Sequence, residues 1–84
     1  MIRCTVVGVE SAQNELAELW MDDPDRDAIT AAAHAIDQEL AADPQNKGVD
    51  LSEGLRAIFS PPLRALFTVR DDDRIVEVLR VKRL

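Results

Sequence analysis

The chain has 84 residues, of which 46% are hydrophobic and 31% charged, and a formal net charge of -6. That length fits one domain, residues 1–84, around a single core, and no run of about 18 apolar residues is present to span a bilayer. Cys4 stands alone, so an internal disulfide is excluded and a reducing, cytoplasmic setting is expected, while a single His (His34) and no Tyr leave few groups for acid–base chemistry near neutral pH.

Met1 to Val9 is too short and wrongly flanked for a signal peptide. Ile2 to Val9 is rich in β-branched residues and predicts a strand with Ile2, Cys4 and Val6 on one face. Ser11 reads as the N-cap of a first helix running to about Met21, with Leu16, Leu19 and Trp20 as its buried stripe. Asp22-Asp23-Pro24 interrupts the chain. Asp23 is expected to cap a second helix with Pro24 at its first position, and Asp25 and Asp27 suit the positive end of that helix's dipole. Ile29, Ala33, Ile36 and Leu40 recur at helical spacing and face the core. The helix must stop before Asp43-Pro44, because a residue preceding proline is pushed out of the helical region. A loop over 44–48 follows. Leu55–Phe59, Leu63–Val69 and Ile75–Val81 predict three strands, joined by the turns Ser60-Pro61-Pro62 and Asp71-Asp72-Asp73. The order β-α-α-β-β-β describes an α+β fold, with two antiparallel helices on one face of a small, mainly antiparallel sheet.

The charge is unevenly placed. Residues 1–54 hold 12 acids and 3 bases (Arg3, Arg26, Lys47), a net of -9, whereas residues 55–84 hold 4 acids and 7 bases, a net of +3. The basic half contains a near-repeat: Leu55-Arg56-Ala57-Ile58-Phe59 is echoed by Leu63-Arg64-Ala65-Leu66-Phe67. If Phe59 pairs with Leu63, period-two alternation puts Leu55, Ala57, Phe59, Leu63, Ala65, Phe67 and Val69 under the helices. Arg56, Ile58, Arg64, Leu66, Thr68 and Arg70 then share the free face. The last strand admits two registers: Ile75, Leu79 and Val81 compete with Val76 and Val78 for the core, and in one register Arg80 and Lys82 join Arg64. Two readings of the free face stand side by side. It is a solvated face with arginines for solubility, or an anion-binding face for phosphate or an acidic peptide, to which the planar guanidinium fork is suited. Ile58 and Leu66 make it partly apolar, which favours a partner.

The chain resembles the RelE/ParE toxin superfamily of type II toxin–antitoxin systems. The resemblance rests on the element order and three local patterns. One is the helix end Asp43-Pro44 followed by Gly48 and Leu55-Arg56; another is the strand Pro62-Leu63-Arg64-Ala65-Leu66-Phe67-Thr68-Val69, with Phe67 where the family often has Tyr; the last is an acidic turn followed by Ile75-Val76-Glu77-Val78-Leu79-Arg80-Val81. It implies a toxin-like protein neutralised by a cognate antitoxin and directed either at translation, by ribosome-dependent messenger-RNA cleavage, or at DNA gyrase. It also implies that Arg56 and Arg64 match basic positions that act on the scissile phosphate. The free-face pattern adds Ile58, Leu66, Arg80, Lys82 and Arg83 as binding residues. No cofactor and no metal are implied. The chain departs from the ribonuclease branch in having Ile58 at a second basic position and in ending at Leu84 without a terminal Tyr or His. His34, with Asp37 one turn later, reads as an exposed helix pair. Any endoribonuclease activity is therefore expected to be weak and ribosome-dependent, and a non-catalytic interaction module that keeps the toxin fold is the alternative.

Overall fold

The computed structural model describes residues 3–84, so the expected inward position of Ile2 lies outside the described residues. The elements run β1 (Thr5–Gly8), α1 (Glu10–Asp22), α2 (Arg26–Ala42), β2 (Val49–Ser52), β3 (Leu55–Ser60), β4 (Leu63–Arg70) and β5 (Ile75–Arg83). They form one five-stranded sheet in the order β1-β5-β4-β3-β2. β1 runs parallel to β5, and the other pairs are antiparallel. Both helices cover one face. No described helix is long and apolar enough to cross a membrane.

The core lies between α2 and the middle of the sheet. Ile29, Ala32, Ile36 and Leu40 repeat at helical spacing on α2 and are buried against Ile58, Leu63, Ala65, Phe67, Val76, Val78 and Val81. Phe67, Ile29, Leu40, Leu63 and Val76 are the largest fully buried side chains. Cys4, just before β1, and Val6 within it pack on this cluster from its rim.

The helix boundaries correct three expectations. α1 begins at Glu10 rather than after Ser11, because its N-cap is Val9, which carries no side-chain cap. Val9 is still tied to the sheet through its N–H, which donates to Val78 O at 3.0 Å, while its carbonyl accepts from Gln13 N at 3.0 Å. The strand thus passes straight into the helix, with no interval for a capping Ser. Within α1, Ala12 is buried and Leu16 and Leu19 are half-buried, but Trp20 is 42% exposed and does not complete the inward stripe. α2 is capped by Asp25, whose Oδ1 accepts from Ala28 N at 3.1 Å, not by Asp23. Asp23 Oδ1 instead accepts from Asp25 N at 2.8 Å, so Pro24 sits in an Asx-type turn before the helix.

β2 was not expected. It is a fully exposed edge strand between Gly48 and Gly54, both in the left-handed region at φ 77° and 84°. At Gly48 the requirement is strict, because a Cβ there would strike the Ala57 carbonyl and approach Phe67 Cε1 to 3.3 Å.

Candidate functional site

The face of the sheet away from the helices is built by the register of β3, β4 and β5. Ser60 pairs with Leu63, so only Pro61 and Pro62 lie between the strands. This is one residue tighter than a Phe59–Leu63 pairing, and a slip of one residue exchanges every side chain of β3 between faces. Phe59 therefore stands opposite Arg64, Ala57 opposite Leu66 and Ile58 opposite Ala65.

The slip separates the two arginines. Arg64 keeps its place on the open face, beside Phe59 on one side and Lys82 on the other. Arg56 pairs with Phe67 and turns toward the helical side, so the expectation that the arginines sit together is overturned. Its side chain is 16% exposed. Its guanidinium donates from Nη2 and Nε to Lys47 O, at 2.9 and 3.3 Å, and its Nη1 meets Asp50 Oδ1 at 2.5 Å. Arg56 thus clamps the loop after α2 and the β2 edge. Ile58 is likewise removed from the proposed binding face: it is 3% exposed and belongs to the core. Phe59, 50% exposed, takes the position on the open face that Ile58 was expected to fill. Leu66 lies there half-buried, as expected.

The last strand settles its ambiguity with a bulge. Leu66 pairs with Arg80, yet Phe67 pairs with Val78, leaving Leu79 as the extra residue. The insertion resets the alternation, so Val76, Val78 and Val81 all enter the core. Arg80 and Lys82 fall on the side of Arg64, through the pairs Leu66–Arg80 and Arg64–Lys82.

These two cations do not face solvent alone. β1 ends at Gly8, opposite Val78, and the β5 edge beyond it is met by Glu15 of α1. Glu15 Oε1 accepts from Val81 N at 3.0 Å, Glu15 Oε2 meets Lys82 Nζ at 2.6 Å, and Arg80 Nη2 lies 3.0 Å from the same oxygen. The bonds from Arg80, then Lys82, hold the Glu15 carboxyl down from 4.5 to about 2, and Glu15 in turn raises the Arg80 pKa. Arg83 is engaged as well, with Nη1 at 2.5 Å from Asp23 Oδ2 in the turn between the helices. Arg70 pairs with Glu77 at 2.7 Å on the open face.

Among the described cations of the sheet, Arg64 is then the exception. It takes part in none of the ion pairs, and its Nε is buried without a hydrogen-bond partner. A buried charged donor without a partner is costly to the fold. Its cross-strand neighbours, Phe59 and Lys82, are neither a carboxylate nor an imidazole. His34 and Asp37 are exposed on α2, on the helical side of the sheet. Among the described residues no cluster of three or more His, Cys, Asp or Glu is arranged to hold a metal. The arrangement presents an anion with a cation beside an aromatic ring. It holds no group beside Arg64 that moves a proton at neutral pH.

No protein-family model matches the sequence, and none of the curated proteins compared with it is similar in sequence. Solved structures are similar in fold. A chain of the RelBE2 toxin–antitoxin complex of Mycobacterium tuberculosis superposes with a TM-score of 0.82 and 23% identity, over 100% of this chain and 94% of that one. A chain of the chromosomal ParDE system of P. aeruginosa gives 0.73 and 15%, over 96% of both chains. The isolated E. coli RelE toxin gives 0.66 and 16%, over 95% of this chain and 83% of the toxin. The chain has the RelE/ParE-like α+β fold over nearly its whole length.

Proposed function

We propose that this chain is the toxin-like member of a type II toxin–antitoxin pair, held by a cognate antitoxin, and that it meets its target through the open sheet face around Arg64. The fold it has in common with RelE and ParE toxins supports the first part. The observation that carries the second is Arg64 itself, the sheet cation that no internal acid engages. Phe59 beside it is exposed and Leu66 half-buried, so the face combines a cation with apolar area, as a partner surface does.

The open face falls short of an efficient ribonuclease. Cleavage by a 2′-hydroxyl needs charge stabilised on the phosphate and protons moved. Arg64 supplies the first. It serves poorly for the second, because a guanidinium does not give up its proton in the physiological range. Arg56, the other cation the resemblance assigned to phosphate, is turned away. Catalysis at this face therefore depends on groups brought by the target, as on a ribosome, or does not occur, as in binding to gyrase. Phe59 standing in the place expected for Ile58, with Arg56 turned to the helical side, favours one further reading, a non-catalytic interaction module with the toxin fold.

Induced expression in bacteria, with and without the product of the adjoining gene, tests the proposal. The wild type is expected to slow growth, the neighbour to form a stable complex and relieve the effect, and Arg64→Ala to abolish inhibition while the variant stays folded by circular dichroism. A folded Arg64→Ala variant that stays fully toxic removes Arg64 from the mechanism. Primer extension on messenger RNA sorts the targets. Cleavage only with ribosomes assigns translation, toxicity without cleavage leaves gyrase, and a stable complex without toxicity selects the interaction module. Robust cleavage of naked RNA, lost in Arg64→Ala, contradicts the account of the missing proton carrier.

A further inference from the structure

The two helices leave an apolar groove open on their outer side. It has a volume of about 500 Å³ and is lined by Leu16, Ala17, Trp20 and Met21 of α1 and by Thr30 and Ala33 of α2. A surface helix ordinarily turns its largest apolar side chains to the core. Here Trp20 is 42% and Met21 66% exposed. Trp20 is also held in place: its Nε1–H donates to Thr30 Oγ1 at 3.1 Å, and the Arg26 guanidinium stacks on its ring at 4.7 Å while donating to Met21 O. An aromatic side chain fixed in its rotamer beside a flexible Met has the character of an interface anchor, since little ordering remains to be done on binding.

The charge around the groove selects its occupant. Residues 10–42 carry nine acids and one base, Arg26, a net of -8. Two of the acids, Glu15 and Asp23, are engaged by β5 cations, which leaves seven against Arg26. Four of them stand at the two ends of the groove. Asp22, Asp25 and Asp27 line the recess that adjoins it at Met21, and Asp37 lines the cavity that adjoins it at Gln13, Leu16 and Ala33. A nucleic acid or an anionic membrane is repelled by such a surface, and a second copy of this chain would bring the same charge. Gln13 to Met21 spans roughly 12 Å at about 1.5 Å per residue, which is two to three turns of helix.

We propose that the α1–α2 groove is a docking site for a basic amphipathic helix of a partner protein, seating an apolar stripe on Trp20 and Met21 and its Lys or Arg side chains toward the acids at the groove ends. Helix-in-groove recognition uses an i, i+3/i+4, i+7 stripe, which matches this length. The site is separate from the sheet face and holds whether or not Arg64 does what is proposed above.

Trp20 is the chain's single Trp and reports on the groove directly. The probe is a synthetic helical Leu/Lys peptide of about 14 residues, roughly four turns, titrated against the full chain. Its Leu/Glu counterpart and a scrambled Leu/Lys peptide of the same composition serve as controls. The Leu/Lys helix is expected to shift Trp20 emission to the blue saturably, and the two controls to bind at least tenfold more weakly. Ala17 is exposed on α1, so Ala17→Glu tolerates folding, which circular dichroism checks. That variant adds negative charge: it strengthens an association driven by charge alone and is expected to weaken one that buries the groove by tenfold or more. Arg64→Ala is expected to leave the titration unchanged. Equal binding of the Leu/Glu or scrambled peptide, tighter binding to Ala17→Glu, or loss of binding in Arg64→Ala overturns the proposal, as does the absence of any shift with Leu/Lys.

Discussion

Leu55–Phe59 and Leu63–Phe67 differ at one position in five, Ile58 against Leu66, yet their Phe and Arg residues have opposite fates. Phe67 is fully buried and Phe59 is 50% exposed. Arg56 is consumed by Lys47 O and Asp50, while Arg64 has no acid of its own. The strands are adjacent and antiparallel, and a two-residue turn joins them. Local sequence therefore does not decide which arginine is available. The register does, and the register is set by how tightly Ser60-Pro61-Pro62-Leu63 turns.

The sharpest way to break this comparison is at the two phenylalanines. Phe67→Ala removes a fully buried ring from the centre of the core and is expected to cost about 3–5 kcal/mol. Phe59→Ala is expected to cost less than about 1 kcal/mol, because half of its ring already meets water. Urea denaturation of both variants checks this; similar losses would mean that the two strands are not divided between faces as described.

The arginines come next. Arg56→Ala deprives Lys47 O of its guanidinium donors and releases β2, and is expected to destabilise by about 1–3 kcal/mol. Hydrogen exchange should show the loss concentrated in 44–57, the loop and strands that Arg56 ties together. A uniform loss, or none, would count against the clamp.

A smaller effect is expected at Glu15, and it depends on pH. The folded carboxyl has its pKa near 2 against an ordinary 4.5, so its contribution to stability is fully present above about pH 4.5 and lost as the pH falls toward 2. Glu15→Gln should thus lower the urea midpoint at pH 7, and its difference from wild type should shrink through that acid range. A difference that stays constant with pH would mean that Glu15 acts through shape rather than charge.

Much of this architecture was legible in the chain. The helical spacing of Ile29, Ile36 and Leu40 and the stop at Asp43-Pro44 located α2, because both depend on backbone rules that tertiary contacts seldom override. β2 was not foreseen, since four exposed residues bury too little to leave a hydrophobic signature; the bracketing Gly48 and Gly54 were its one local sign. The division of Arg56 from Arg64 hung on a single residue of turn length, and every face assignment in β3 followed from it. In β5 both candidate core sets were partly right, because the bulge at Leu79 lets Val76, Val78 and Val81 be buried together. Nothing in the sequence around Glu15 marks its role. Only the early end of β1 reveals the bare edge of β5 that it fills.

The measurement that tests this account most directly is the cross-strand pattern of nuclear Overhauser effects between β3 and β4 in the free protein. Contacts joining Phe59 to Arg64, Ile58 to Ala65 and Arg56 to Phe67 are predicted, as the Ser60–Leu63 pairing requires. Contacts joining Phe59 to Leu63, Ile58 to Arg64 and Arg56 to Leu66 would place both arginines on one face and contradict it.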